Sequence, residues 1–289
     1  MTILKKQFSV FYRIFQSLSF EIVIGVLAVS LFASKLLNVE AKPVWLLIIT
    51  MTTWSFYTFD HLIDGFKVKG KSVFFRHYFH YKNRFTLLII SVVVSIASLA
   101  LSIIYLDYEI ISFGIALGLL VLTYFFAIFF IAKKKSVFLQ KELIIAFVYV
   151  AGIWLAPLVW HQKIPEMFII IVISVLFFLA WAEGVMASWF DYENDLTEGH
   201  SSFTVLFGKP NTRRLLIVIH ILIFIIIKLS VFFVSSNIQF IAMIILALMN
   251  LSLLLIILYP STFSKNDNYR IVGEMVFWLP FLILLADLF

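Results

Sequence analysis

The sequence predicts an all-α polytopic membrane protein, one integral domain over 1–289 with about nine transmembrane helices. Three observations predict it. First, mean hydropathy is +1.07, and 63% of the residues are hydrophobic against 13% charged. A soluble core does not need that much apolar surface, and the excess would aggregate in water. Second, the chain contains nine apolar runs of roughly 20 residues, the length that a hydrocarbon layer of ~30 Å demands. Third, none of the runs alternates with a period of two. Only helices and closed barrels satisfy their backbone in lipid, so the runs read as helices.

The first run, 18–37, follows Lys5, Lys6 and Arg13. It is too long for a signal-peptide core and no small-residue cleavage site follows it, so it is expected to remain as a helix. The second, 43–62, ends in the stretch FYTFDHLIDG and leads into a long connection, 63–84, with Lys67, Lys69, Lys71, Arg76, Lys82 and Arg84. The third and fourth, 85–105 and 109–132, meet at Asp107–Glu109. Gly114 and Gly118 give the fourth a GxxxG pattern, a candidate close-packing face. Lys133, Lys134, Lys135 and Lys141 precede the fifth, 142–161, in which Pro157 is expected to kink the helix. A short link, His161–Pro165, opens the sixth, 165–189. The second long connection, 190–212, carries four acids and Lys209. The seventh and eighth runs, 213–235 and 238–259, meet at Ser235–Asn237. Lys265 and Arg270 precede the ninth, 271–288, where Pro280 predicts a second kink.

Charge placement predicts the orientation. With the N-terminus in the cytoplasm, 18 of the 22 basic residues fall on the cytoplasmic side, and only Lys35, Lys42, Lys163 and the intrahelical Lys228 do not. Positive-inside bias therefore predicts N-in, C-out, in a bacterial inner membrane. Most of these lysines need no further role than setting topology and touching anionic lipid. No nucleic-acid partner is expected. The chain has no cysteine, which excludes disulfides, thiolate metal sites and cysteine nucleophiles. Both long connections are cytoplasmic in this topology, and long loops tend to carry function.

Two acidic pairs stand out against this background. Asp60 and Asp64 lie four residues apart at the end of the second run, and Asp191 and Asp195 lie four apart at the end of the sixth, within SWFDYENDLTEGHSSF. That spacing puts both carboxylates of a pair on one helix face, where they repel unless a cation or hydrogen-bond donors compensate them. A lone pair of this kind reads as an interfacial accident. Two pairs with one spacing, on one side and beside basic loops, read as a site. Hard oxygen donors suit Mg²⁺, which keeps waters and shares its shell with phosphate. A diphosphate is the ligand that two metal–carboxylate clusters facing Lys and Arg fit best. In a membrane protein that diphosphate would carry a lipid tail. An isoprenoid diphosphate ionises to an allylic cation, which needs a dry cavity with π faces, and Phe, Tyr and Trp make up 18% of this chain.

At these residues the sequence resembles the UbiA superfamily of intramembrane prenyltransferases, whose nine-helix bundle carries two Asp-rich motifs at the cytoplasmic ends of its second and sixth helices. Asp191 and Asp195 match the DxxxD of the second motif, Gly199 follows at the usual interval, and SSFTVLFGK is similar to the stretch after it. Asp60 and Asp64 match the last two acids of NDxxDxxxD, while Phe56 and Tyr57 stand where Asn and Asp are usual. Arg76 lies where the family often has a base. TYFFAIFFIAKKKS resembles the end of the family's fourth helix, which makes Tyr124, Lys133 and Lys135 candidates for holding diphosphate. The resemblance implies one Mg²⁺ per motif, a polyprenyl tail in a tunnel open to the lipid bilayer, and a hydrophobic or aromatic acceptor attacking C1.

Other residues have open roles. Glu183, two turns before Asp191, is either a base that deprotonates the acceptor or the partner of a lysine, and the partner role is preferred. Glu21 and Glu274 are expected to snorkel or to pair with Arg13 and Arg270. His77 and His80 are spaced for a metal, but interfacial or phosphate contacts are preferred because no cysteine or HExxH accompanies them. The expectation is an Mg²⁺-dependent prenyltransferase. Its rivals are an intramembrane terpene cyclase of the same fold and a non-catalytic isoprenoid-binding or transport protein. The crowding of acids at one face favours an enzyme over a transporter, which places its ionisable groups near the midplane.

Overall fold

A computed structural model describes residues 12–67, 75–130, 140–199 and 201–288. Lys133 and Lys135 lie outside these residues. Every regular element among them is helical, and each of the nine apolar runs falls on helix. Among the described residues six helices are long and apolar enough to cross a membrane, and the protein is an integral membrane protein. The chain folds as two compact units, 1–27 with 42–106 and 28–41 with 107–289. Helix α1, Phe20–Leu36, runs from the first into the second.

The first unit is built on α2, Pro43–Lys67, which packs along α4, Arg84–Tyr105, and carries the short α3, Phe75–Lys82, across its end. Thr52 and Ser98 share a hydroxyl hydrogen bond of 2.7 Å between α2 and α4. The α2–α3 crossing depends on Gly65. A Cβ there would stand 2.9 Å from the carbonyl oxygen of His77 and 3.3 Å from the amide nitrogen of Tyr81, both backbone atoms that no rotamer change can move. The absent side chain lets α3 lie against the last turns of α2, beside the first acidic pair. The outer face of α4 exposes Phe85, Ile89, Val93, Ile96 and Ile103. Such a stripe at helical spacing suits hydrocarbon rather than water.

In the second unit α7, Met167–Phe190, is the central helix. Phe168, Val172, Val175, Leu176, Leu179, Ala182, Val185 and Met186 are all buried. Their spacing goes round the helix, as expected for one enclosed by others. Around α7 pack α6 (Lys141–His161), the short α9 (Phe203–Phe207), α10 (Lys209–Ser230), α11 (Asn237–Leu258) and α13 (Asn268–Val276). Helices α10 and α11 share a buried polar clasp. His220 Nδ1 meets Asn250 Oδ1 at 2.7 Å, and the Asn250 amide donates to the His220 carbonyl at 2.9 Å. With no hydrophobic force between helices in lipid, such bonds help to set their pairing. The remaining helices are α5 (Tyr108–Phe130), α8 (Tyr192–Glu198) and α12 (Pro260–Phe263).

The two prolines behave differently. Pro157 sits inside a continuous α6. The ninth run instead breaks: α13 stops at Val276, and a 3₁₀ helix over Leu279–Leu288 follows. Pro280 has no N–H for the Val276 carbonyl, and its ring crowds that carbonyl. The GxxxG expectation is not met. A Cβ on Gly114 or Gly118 would meet nothing within 4 Å among the described residues, so neither is a close-packing point there.

Gly65→Val is expected to lower the stability of the protein by about 1–3 kcal/mol, the cost of overpacking against fixed backbone. Gly118→Val, where the space is open, is expected to change it little. Unfolding midpoints of the purified variants in one detergent would check both.

Candidate functional site

The first acidic pair lies near the end of α2. Asp60 and Asp64 are one turn apart on one face, and their residues are only 7% and 8% exposed. Between them His61 places Nδ1 3.9 Å from Asp60 Oδ2 and Nε2 3.1 Å from the hydroxyl of Ser19. The His61 ring also meets those of His80 and His77, with centroids 5.2 and 6.3 Å away. Because α3 is pressed on α2 at Gly65, three imidazoles gather beside the pair. His80 Nδ1 donates to the Arg76 carbonyl at 2.9 Å, which leaves Nε2 as the lone-pair nitrogen of the neutral ring. That atom is buried and has no hydrogen-bond partner among the described residues. Burial lowers the His80 pKa from 6.5 to about 4. Arg76 is half-buried in the first turn of α3. Phe56 and Tyr57 form an edge-to-face pair with centroids 5.3 Å apart.

The second pair is arranged otherwise. Asp191 caps the end of α7 and begins α8. It is 7% exposed, and both carboxylate oxygens are engaged from α13: the Tyr269 hydroxyl donates to Oδ1 and the Arg270 guanidinium to Oδ2. The Tyr269 ring stacks on Phe190, with centroids 4.3 Å apart and planes 12° apart, which aims its hydroxyl at Asp191. The close approach of α13 to α7 depends on Gly273, where a Cβ would stand 3.0 Å from Met186 Cε and 3.4 Å from Glu183 Oε1. Glu183 thus faces α13. Arg270 pairs with Asp191, with Glu274 among its further electrostatic neighbours, and Glu21 is fully buried, so a snorkelling Glu21 does not describe that residue. Tyr124 is buried on α5.

The segment after Asp191 is pinned in three places. Gly199 ends α8 in the left-handed region, with φ +74°. Ser188 and Thr204 share a hydroxyl bond of 2.8 Å. The amide of Phe203, first residue of α9, donates to Glu142 Oε1 at 2.8 Å. The Trp189 indole donates to the Lys209 carbonyl at 3.0 Å, and Lys209 Nζ lies 5.6 and 5.8 Å from the ring centroids of Trp189 and Tyr192. Arg270, Tyr269, Glu142 and Lys209 are thus parts of this site that sequence reasoning missed or left to topology. Only Lys209 stood near the motif in the sequence.

Aligned on structure, the chain is similar to an apo UbiA homologue from Aeropyrum pernix, with a TM-score of 0.64 over 94% of this chain and 99% of that one. This protein has the UbiA fold. The identity in that alignment is 12%. A UbiA homologue from Archaeoglobus fulgidus bound to DMAPP and Mg²⁺ aligns at TM-score 0.61 and 13% identity, covering 94% of this chain and 98% of that one. A digeranylgeranylglyceryl phosphate synthase aligns at TM-score 0.57 and 16% identity, covering 93% and 94%. No protein-family model and no curated protein sequence matches the chain.

Within the UbiA fold of this chain, the two pairs offer different donors to a divalent cation. Among the described residues no three or more His, Asp or Glu side chains gather as a metal cage. Asp60 and Asp64 are hard oxygen donors on one face, and Mg²⁺ needs no more than one or two carboxylates when phosphate and water complete its shell. The first pair therefore fits. Asp191 fits less well in this arrangement, because the Arg270 guanidinium paired with it would repel a second cation.

Two outcomes follow from this geometry. Glu142→Leu removes the acceptor of a buried amide and is expected to destabilise the protein by about 1–3 kcal/mol, whereas Glu142→Gln keeps an acceptor oxygen and is expected to cost much less. Comparing their unfolding midpoints checks this. His80 supplies the second. As pH falls from 6.5 towards 4 the unfolded chain takes up a proton that native His80 refuses. Stability should fall over that window by about 1.4 kcal/mol per pH unit. His80→Gln should flatten that part of the profile, read as unfolding midpoints from pH 7 to pH 4.

Proposed function

We propose that this protein is an Mg²⁺-dependent intramembrane prenyltransferase that takes a polyprenyl group from an isoprenoid diphosphate and gives it to a hydrophobic or aromatic acceptor. The observation that carries the reading is the buried pair Asp60 and Asp64 in a UbiA fold. Solved proteins of that fold were captured with DMAPP or GPP and Mg²⁺, and another is a digeranylgeranylglyceryl phosphate synthase.

In this reading Asp60 and Asp64 hold the metal, and Asp191 and Asp195 form the second acidic motif. Arg76, Tyr124, Lys133 and Lys135 assist with the diphosphate, and Glu183 serves the substrate side. Mg²⁺, when bound, shields the charge of the diphosphate and makes it a better leaving group. The chain's own work is to hold carboxylates ready and to keep water from the allylic cation. Aromatic side chains supply the π surface that such a cation tolerates. The active face is cytoplasmic, with the N-terminus inside and the C-terminus outside, as the basic connections imply. One observation favours a second reading, a protein that binds isoprenoid without turning it over: rings at Phe56 and Tyr57 stand where the family's first motif has an amide and a carboxylate.

The test is diphosphate release from radiolabelled geranylgeranyl diphosphate by the purified protein in nanodiscs. Release should require Mg²⁺, stop with EDTA, and fall about 100-fold or more in Asp60→Ala and in Asp64→Ala, the range seen when charge-stabilising groups are removed from active sites. Donor binding without release, across tail lengths and with candidate acceptors, would favour the non-catalytic reading. Absence of donor binding would end both.

A further inference from the structure

The second acidic motif already contains a cation. Asp191 sits at the junction of α7 and α8, and Arg270 and Tyr269 reach it from α13, 79 and 78 residues further along the chain. The two charged side chains are 10% and 14% exposed, so this is an enclosed pair and not a surface contact that solvent exchanges. An ionised carboxylate accepts and does not donate, and here each oxygen receives a donor. A guanidinium stays charged under all physiological conditions. Its Nη2 donates to Asp191 Oδ2, so the charge of the carboxylate is met directly by a fixed cation of the chain. A divalent ion at Asp191 would share its oxygens with the Tyr269 hydroxyl and stand against the guanidinium, like charge beside like.

We infer that Arg270 is the resident cation of the second acidic motif: it takes the place of a second divalent ion at Asp191. The inference rests on the prenyltransferase reading above and deepens it. On this inference the second motif holds no divalent ion of its own, and the guanidinium stands in for one. Tyr269 is the positioning residue: stacked on Phe190, it fixes the carboxylate that fixes Arg270.

The experiment counts ions. The full chain in nanodiscs is titrated with Mn²⁺ in the presence of geranylgeranyl S-thiolodiphosphate, a donor analogue that does not ionise readily, and bound Mn²⁺ is read by electron paramagnetic resonance. The wild type should bind one Mn²⁺ per chain. Arg270→Gln should bind twice as much, because Asp191 is released to the metal, and Arg270→Lys, which keeps the cation, should bind as the wild type does. Two Mn²⁺ per wild-type chain would overturn the inference and leave the prenyltransferase reading standing, and that count needs no variant to fold. No gain in a monodisperse Arg270→Gln would also overturn it. A wild type that takes up neither Mn²⁺ nor the analogue would remove the reading and the inference together.

Discussion

A carboxylate buried in a low-dielectric interior must have its charge answered, and the second unit is organised around that requirement at Asp191. Arg270 supplies the charge and Tyr269 the second donor. For both to reach, the start of α13 must lie on the end of α7. Gly273 makes room for that contact one turn further on, where any side chain would press on Met186 and Glu183. The stack of Tyr269 on Phe190 fixes the rotation of α13. The pair gains little net stability over an apolar contact of the same shape, since desolvation offsets the attraction. Its effect is on geometry. Either charge left without the other would cost about 3–5 kcal/mol, so one docking of α13 is held against its alternatives.

The first unit meets the same requirement with other groups. Asp60 and Asp64 are as buried as Asp191. Their surroundings include three imidazoles, brought there by the close crossing at Gly65. A neutral imidazole with Nδ1 tied to a carbonyl, as in His80, adds a dipole and no net charge. Two pairs with one spacing in the sequence therefore have different neighbours: imidazoles lie beside the first, and a guanidinium is bound to the second.

The helices were legible because their signals are local. A run of 20 apolar residues needs no partner to declare itself, and the i, i+4 spacing of each acidic pair places both carboxylates on one face without reference to the rest of the fold. What answers those carboxylates was not legible. Arg270 looked like one more topological charge before a span, and nothing near it in the chain points to Asp191. Glu142 stood at the start of the fifth run with no sign that it would cap α9 across 61 residues. GxxxG misled because spacing reports a helix face but not what lies opposite it, and at Gly114 and Gly118 nothing among the described residues does. The break near Pro280 was legible in the chain, whereas Pro157 lies within a helix that continues past it.

At 12–16% identity the UbiA fold persists while most side chains have changed. That is expected of helices in lipid, where one large apolar residue serves nearly as well as another and chain-wide identity says little about chemistry. The few polar positions carry it. At the second motif they are Asp191, Tyr269 and Arg270, whose mutual contacts fix one carboxylate against one rotation of α13, a constraint that no exchange of apolar side chains in the surrounding helices would alter.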